Sequence, residues 1–149
     1  MDTILEIRKY IGHKTLVIPH SVTLVFDEQN RILVEERADD GMVDFPGGGI
    51  EPDETIEDAA IRELKEETGI IADELKLFKV YSGPLTHYVY SNGDEISGID
   101  CVFVVTKYHG DLKPQKEEVT KLMFVEANSI DKNKLSIRNK RIIEDIKHS

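Results

Sequence analysis

The chain has 149 residues, 40% of them apolar and 32% charged, which is enough length to bury roughly 70% of the unfolded surface in a single domain spanning residues 1–149. Its 29 acidic against 19 basic residues leave a formal charge of −10, which repels polyanions and argues against duplex DNA or RNA as a partner. One cysteine, Cys101, excludes an internal disulfide, and no apolar run approaches the roughly 20 residues of a membrane span. The amino terminus lacks the basic start and apolar stretch of a secretory signal, so a cytoplasmic location is expected.

In chain order, Thr15 to Phe26 alternates around valines and leucines and predicts a strand. Asp27-Glu28-Gln29-Asn30 supplies a turn, and Arg31 to Arg37 returns as a second strand. A short strand around Met42 to Phe45 then enters Pro46-Gly47-Gly48-Gly49, read as a stretch that no regular element tolerates. The clearest helix runs from about Thr55 to Thr68, with Ile56, Ala60 and Leu64 as its apolar stripe and Gly69 as its stop. Strands follow at Leu75 to Tyr81 and Thr86 to Tyr90, and the Asn92-Gly93 turn leads into Ile96 to Lys107. His109-Gly110-Asp111 opens a polar loop from Lys113 to Glu118, before a strand at Lys121 to Glu126 and a terminal helix at about Ile137 to Lys147. Strands with one central and one terminal helix predict an α+β arrangement, a mixed sheet packed between helices. Cys101 lies in an apolar run and reads as a structural thiol.

The chemistry is concentrated in the central helix. Glu63, Glu66 and Glu67 stand at i, i+3 and i+4, so their carboxylates share a face and repel one another. A hard divalent cation relieves that repulsion, because Mg²⁺ and Mn²⁺ prefer oxygen ligands. Taken alone the spacing is better explained as a solvated acidic face, and the context changes this. Gly47-Gly48-Gly49 lets backbone approach a ligand closely, and Arg62 can restrain the acids by ion pairing. Together the residues run Gly48, five residues, Glu54, seven residues, Arg62-Glu63-Leu64, one residue, Glu66-Glu67, one residue, Gly69-Ile70. Such a match arises by chance on the order of once in 10⁹ starting points.

This pattern resembles the signature of the Nudix hydrolases at every defined position. The resemblance implies the Nudix α/β/α sandwich and cleavage of a phosphoanhydride bond in a small nucleotide substrate. It implies Mg²⁺ or Mn²⁺ held by Glu63, Glu66 and Glu67, with the Gly47 carbonyl as a further ligand. Glu54 would act from behind these ligands or pair with Arg62 to brace the loop. The family's general base is sometimes a box glutamate and sometimes a glutamate on a later loop, so Glu63 and Glu118, with Glu117 beside it, are the candidates. Many relatives carry a tryptophan before the Pro-Gly-Gly, where this chain has Met42-Val43-Asp44-Phe45. Stacking on a base then falls to Phe45, Tyr81, Tyr88 or Tyr90, each of which could equally be core or sheet surface. Arg37 and Gly48 are candidates for meeting phosphate, and Pro84 lies near a proline that marks ADP-ribose hydrolases, although its turn explains it too. His13, His20 and His87 show no ligand spacing and receive no role. The substrate the resemblance implies is a nucleoside triphosphate, or an ADP-ribose, dinucleotide or nucleotide sugar; the alternative is a catalytically inactive Nudix domain that senses a nucleotide. A homodimer is compatible with all of these readings.

Overall fold

The computed structural model describes residues 3–113 and 119–149. The polar loop's Glu117 and Glu118 lie outside them. Helix α1 (Thr3–Ile11) is followed by β1 (Leu16–Val25), β2 (Ile32–Arg37), β3 (Val43–Asp44) and β4 (Gly47–Gly49). Then come α2 (Ile56–Thr68), β5 (Ile71–Tyr81), β6 (His87–Val89), β7 (Glu95–His109), β8 (Val119–Val125) and α3 (Ile137–Lys147). Among the described residues no helix is long and apolar enough to cross a membrane.

The strands form two sheets. The larger is mixed, in the order β4-β1-β7-β5 with β6 also on β7; β1 and β7 run parallel and the other pairs antiparallel. The smaller is antiparallel, in the order β3-β2-β8. A tight turn links them, in which the Asp27 carboxylate accepts from the Gln29 and Arg31 amides at 3.0 and 2.8 Å.

Side chains along β1 and β2 alternate between two cores. Val22, Leu24, Ile32 and Val34 face the cluster that takes in Ile142 and Ile143 of α3. Val25 and Leu33 face the other, which takes in Leu64 of α2. Helices therefore cover opposite faces, the mixed α+β sandwich expected, and strands buried on both sides read as nearly continuous apolar runs. Leu64 is fully buried, which contributes about 1.5–3 kcal/mol to holding α2 against the sheet.

Two expectations need correcting. The Gly-rich stretch is a strand: β4 pairs with β1 in the register His20 to Gly49, Ser21 to Gly48 and Val22 to Gly47. A Cβ at Gly47 would overlap the Ser21 carbonyl oxygen, so this pairing depends on the missing side chain. Helix α1 was not anticipated, because its Ile4, Ile7 and Ile11 make a short stripe with no buried residue. Arg8 ties it down instead, donating to the Glu95 carbonyl at 2.7 Å and the Gly12 carbonyl at 3.0 Å.

Candidate active site

Helix α2 starts with Thr55, whose hydroxyl accepts from the Asp58 amide at 3.1 Å, and stops at Gly69, which adopts φ 83°. A Cβ on Gly69 would also lie 2.6 Å from the Asp111 carbonyl oxygen, so glycine is required there twice over. These caps set the helix's rotation, and with it the direction of its carboxylates. Glu63 and Glu67 are buried at 7% and 8% exposure, while Glu66 is half-exposed.

The Gly-rich strand closes over them. The Gly47 amide donates to Glu67 Oε2 at 3.0 Å, and a Cβ at Gly48 would lie 2.5 Å from the Glu63 carboxylate carbon. Gly48 therefore leaves room for the Glu63 carboxylate, whereas a Cβ at Gly49 would meet nothing within 4 Å. At Gly47 the amide meets the box through this bond to Glu67.

Arg62 lies among the acids. Its Nε and one terminal nitrogen grip both Glu54 oxygens at 2.8 and 2.9 Å, and the latter nitrogen also donates to the Gly49 carbonyl at 3.1 Å. The other terminal nitrogen reaches Glu63 at 3.0 Å and Glu66 at 3.4 Å. One guanidinium thus ties the turn before α2, the end of β4 and the helix together. The hydrogen bonds from Arg62 hold the Glu54 carboxyl down to about 2, and those from Glu54 hold the Arg62 guanidinium firmly protonated.

Among the described residues no three carboxylate, imidazole or thiol groups already converge as a metal cage. The donor set nonetheless fits a hard cation. It is all oxygen, and two buried carboxylates sit under a strand whose glycine leaves them space.

The box acids line a cleft of about 1300 Å³. Arg37 lines it too, bound to Asp39 at 3.0 and 3.2 Å; this pairing raises the Arg37 guanidinium and holds Asp39 at about 2. Phe45 touches the cleft but is 2% exposed and belongs to the core, so it offers little free ring face for stacking. Tyr81 is placed elsewhere. It is buried in the core, does not line the cleft, and its hydroxyl donates to Asp145 at 2.7 Å, because that end of β5 faces α3. Tyr88 and Tyr90 line the cleft with substantial exposure, their rings packed edge to face at 4.7 Å. Pro84 opens a single 3-10 turn, Gly83–Thr86, on the same cleft wall. Cys101 is half-buried, and burial pushes its thiol up, in keeping with a structural residue.

Another cluster lining the cleft was missed in the sequence. Arg138, near the start of α3, donates to Asp44 at 2.9 Å and to Asp100 at 2.9 Å, and Asp100 also meets His20 at 3.3 Å. Burial works to raise the Asp100 carboxyl, but His20 and Arg138 outweigh it and hold it below its ordinary range. A signal was present, since Asp100 is a charged residue inside the apolar run from Ile99 to Phe103.

The comparisons with known proteins agree with this geometry. A model of the NUDIX domain matches residues 18–146. The chain is 32% identical over 124 residues to the ADP-ribose pyrophosphatase of Methanocaldococcus jannaschii, covering 81% of this chain and 68% of that protein. It is 41% identical over 63 residues to the 8-oxo-dGTP diphosphatase of Escherichia coli, covering 40% of this chain and 49% of that protein. In fold it resembles a MutT NUDIX hydrolase from Burkholderia pseudomallei, with a TM-score of 0.71 at 20% identity over 87% of this chain and 97% of that one. From the match along nearly its whole length, and from the box that closes β4 over α2, the chain belongs to the Nudix hydrolase family.

Proposed function

We propose that the protein hydrolyses the phosphoanhydride bond of a nucleoside diphosphate linked to a second moiety, using Mg²⁺ or Mn²⁺ held by Glu63, Glu66 and Glu67. The observation that carries this is the burial of Glu63 and Glu67 beneath Gly47 and Gly48 in the cleft. When bound, the cation neutralises the diphosphate and activates the attacking water. The chain's own groups do the rest. The Gly47 amide orients Glu67, Glu54 holds Arg62 across the loop, and Arg37 meets phosphate charge from the cleft wall. Glu63 and Glu118 are the candidate acceptors for the water's proton.

An ADP-ribose, dinucleotide or nucleotide sugar is the leading substrate class. Its support is that the relative aligned over most of the chain is an ADP-ribose pyrophosphatase, and that the cleft runs on from the box to Asp100 and Arg138, with room for a second moiety. A nucleoside triphosphate is the second reading, supported by the shorter alignment with the 8-oxo-dGTP diphosphatase.

The test is incubation with Mg²⁺ and a panel of ADP-ribose, dinucleotides, nucleotide sugars and nucleoside triphosphates, with EDTA controls and product identification. AMP from ADP-ribose or dinucleotides, abolished by EDTA, is expected. Pyrophosphate release from triphosphates alone transfers the reading to the second class. Turnover undiminished by EDTA removes the metal, and binding without any turnover makes the domain a sensor.

A further inference from the structure

His20, on β1, is held in one orientation by its surroundings. Its Nδ1 meets Oδ1 of Asp100 at 3.3 Å, and Arg138 donates to Oδ2 of Asp100 at 2.9 Å. Asp100 is 3% exposed, and a Cβ at Gly98 would lie 2.7 Å from its Oδ1, so the neighbouring backbone leaves room for this carboxylate. An ionised carboxylate only accepts, so Nδ1 carries the proton and Nε2 of the neutral ring is an acceptor. No hydrogen bond among the described residues reaches Nε2, and the side chain, 20% exposed, lines the cleft.

Its place in the sheet says which part of a ligand it meets. β4 is an edge strand, in which Gly49 pairs with His20 and Gly48 with Ser21. Alternation puts Gly48, which makes space for the Glu63 carboxylate, on one face of the sheet and His20 on the other. A Cβ at Gly49 would meet nothing within 4 Å, so the way over this edge is open. A nucleotide whose diphosphate lies at the box and which crosses the edge at Gly49 brings its sugar to His20 first. Asp44 and Asp100 share the single charge of Arg138, which disfavours a second phosphate here and favours a neutral hydroxyl.

We propose that His20 is a specificity-determining residue whose Nε2 accepts a hydrogen bond from a hydroxyl of the sugar that follows the diphosphate. This rests on the nucleotide reading above. A sugar that lacks the hydroxyl leaves Nε2 desolvated and unsatisfied, which weakens binding.

The test is calorimetric binding, in Mg²⁺, of AMP, 2′-deoxy-AMP and 3′-deoxy-AMP. None contains a phosphoanhydride, so the measurement is independent of turnover. One of the deoxy analogues is expected to bind about tenfold more weakly than AMP. A loss at the 2′ position makes the substrate a ribonucleotide, and a loss at the 3′ position places the bonded hydroxyl there; each supports the assignment. In His20→Phe, which keeps a ring and removes the acceptor, AMP is expected to weaken to the level of that analogue. His20→Ala should give the same convergence, and if only one variant folds, that one decides. Equal affinities of the three ligands for the native protein, no binding of AMP at millimolar concentration, or a sugar preference that survives substitution of His20 would each overturn the assignment. Sugar preference without hydrolysis of any substrate sinks the catalytic reading and leaves this one; hydrolysis without sugar preference does the reverse.

Discussion

In the box, Glu54, Arg62, Glu63, Glu66 and Glu67 come from one short stretch of chain, and helical spacing with one arginine sets their relations. In a second cluster on the same cleft, Asp44, Asp100 and Arg138 come from β3, β7 and α3, and only the packing of strands against a helix brings Arg138 within 3 Å of both aspartates. In the first, one arginine serves several acids at once, and Glu66 is half-exposed. The second is a connected network in which Arg138 bridges the half-buried Asp44 and the buried Asp100, so each hydrogen bond restrains the next. The contrast separates chemistry that one segment can encode from recognition that needs the whole fold.

The largest effect should fall in the box. Glu67→Gln is expected to lower kcat about a thousandfold, or about 4 kcal/mol, with an unchanged melting temperature, since a cation ligand acts mainly in the transition state. Steady-state kinetics and thermal unfolding check this together, and near-normal turnover would remove the box from the chemistry. The second cluster should respond in stability first. Arg138→Ala leaves Asp100 buried beside Asp44 with its main counter-charge gone, and a loss of about 3 kcal/mol is expected in denaturant unfolding. A loss within error would mean that this wall is not a coupled unit.

Smaller effects sharpen the comparison. Gly48→Ala should weaken turnover by about ten- to a hundredfold, because the added Cβ crowds the Glu63 carboxylate, whereas Gly49→Ala should be close to neutral. Equal losses in the two would detach the strand's glycines from the positioning of Glu63. The smallest effect is in acid stability. Arg62 holds the Glu54 carboxyl at about 2, below its ordinary 4.5, so folding favours the ionised form. That contribution is fully present above about pH 4.5 and disappears as pH falls towards 2. Glu54→Gln should therefore flatten this part of the stability profile, measured by unfolding across the same range; an unchanged profile would show that the pair adds nothing to stability.

The strands, both long helices and the box were legible because each rests on local periodicity or fixed spacing. The α2 boundaries were readable from Thr55 and Gly69, which carry their own capping chemistry. The strand character of Gly47–Gly49 was not, since glycine carries no strand signal and pairs here only because β1 lies close enough to exclude a side chain. Helix α1 escaped notice because its anchor, Arg8, binds a carbonyl at Glu95, far along the chain.

The sequence by itself determined the family, the architecture and the carboxylate-bearing helix, because an α-helix converts spacing directly into a shared face. Tertiary structure alone decided which aromatic rings meet the cleft, sending Tyr81 into the core and leaving Tyr88 and Tyr90 exposed on the cleft wall. It alone joined Asp44, Asp100 and Arg138, because a contact between distant residues depends on sheet register and helix packing, which residue spacing does not carry.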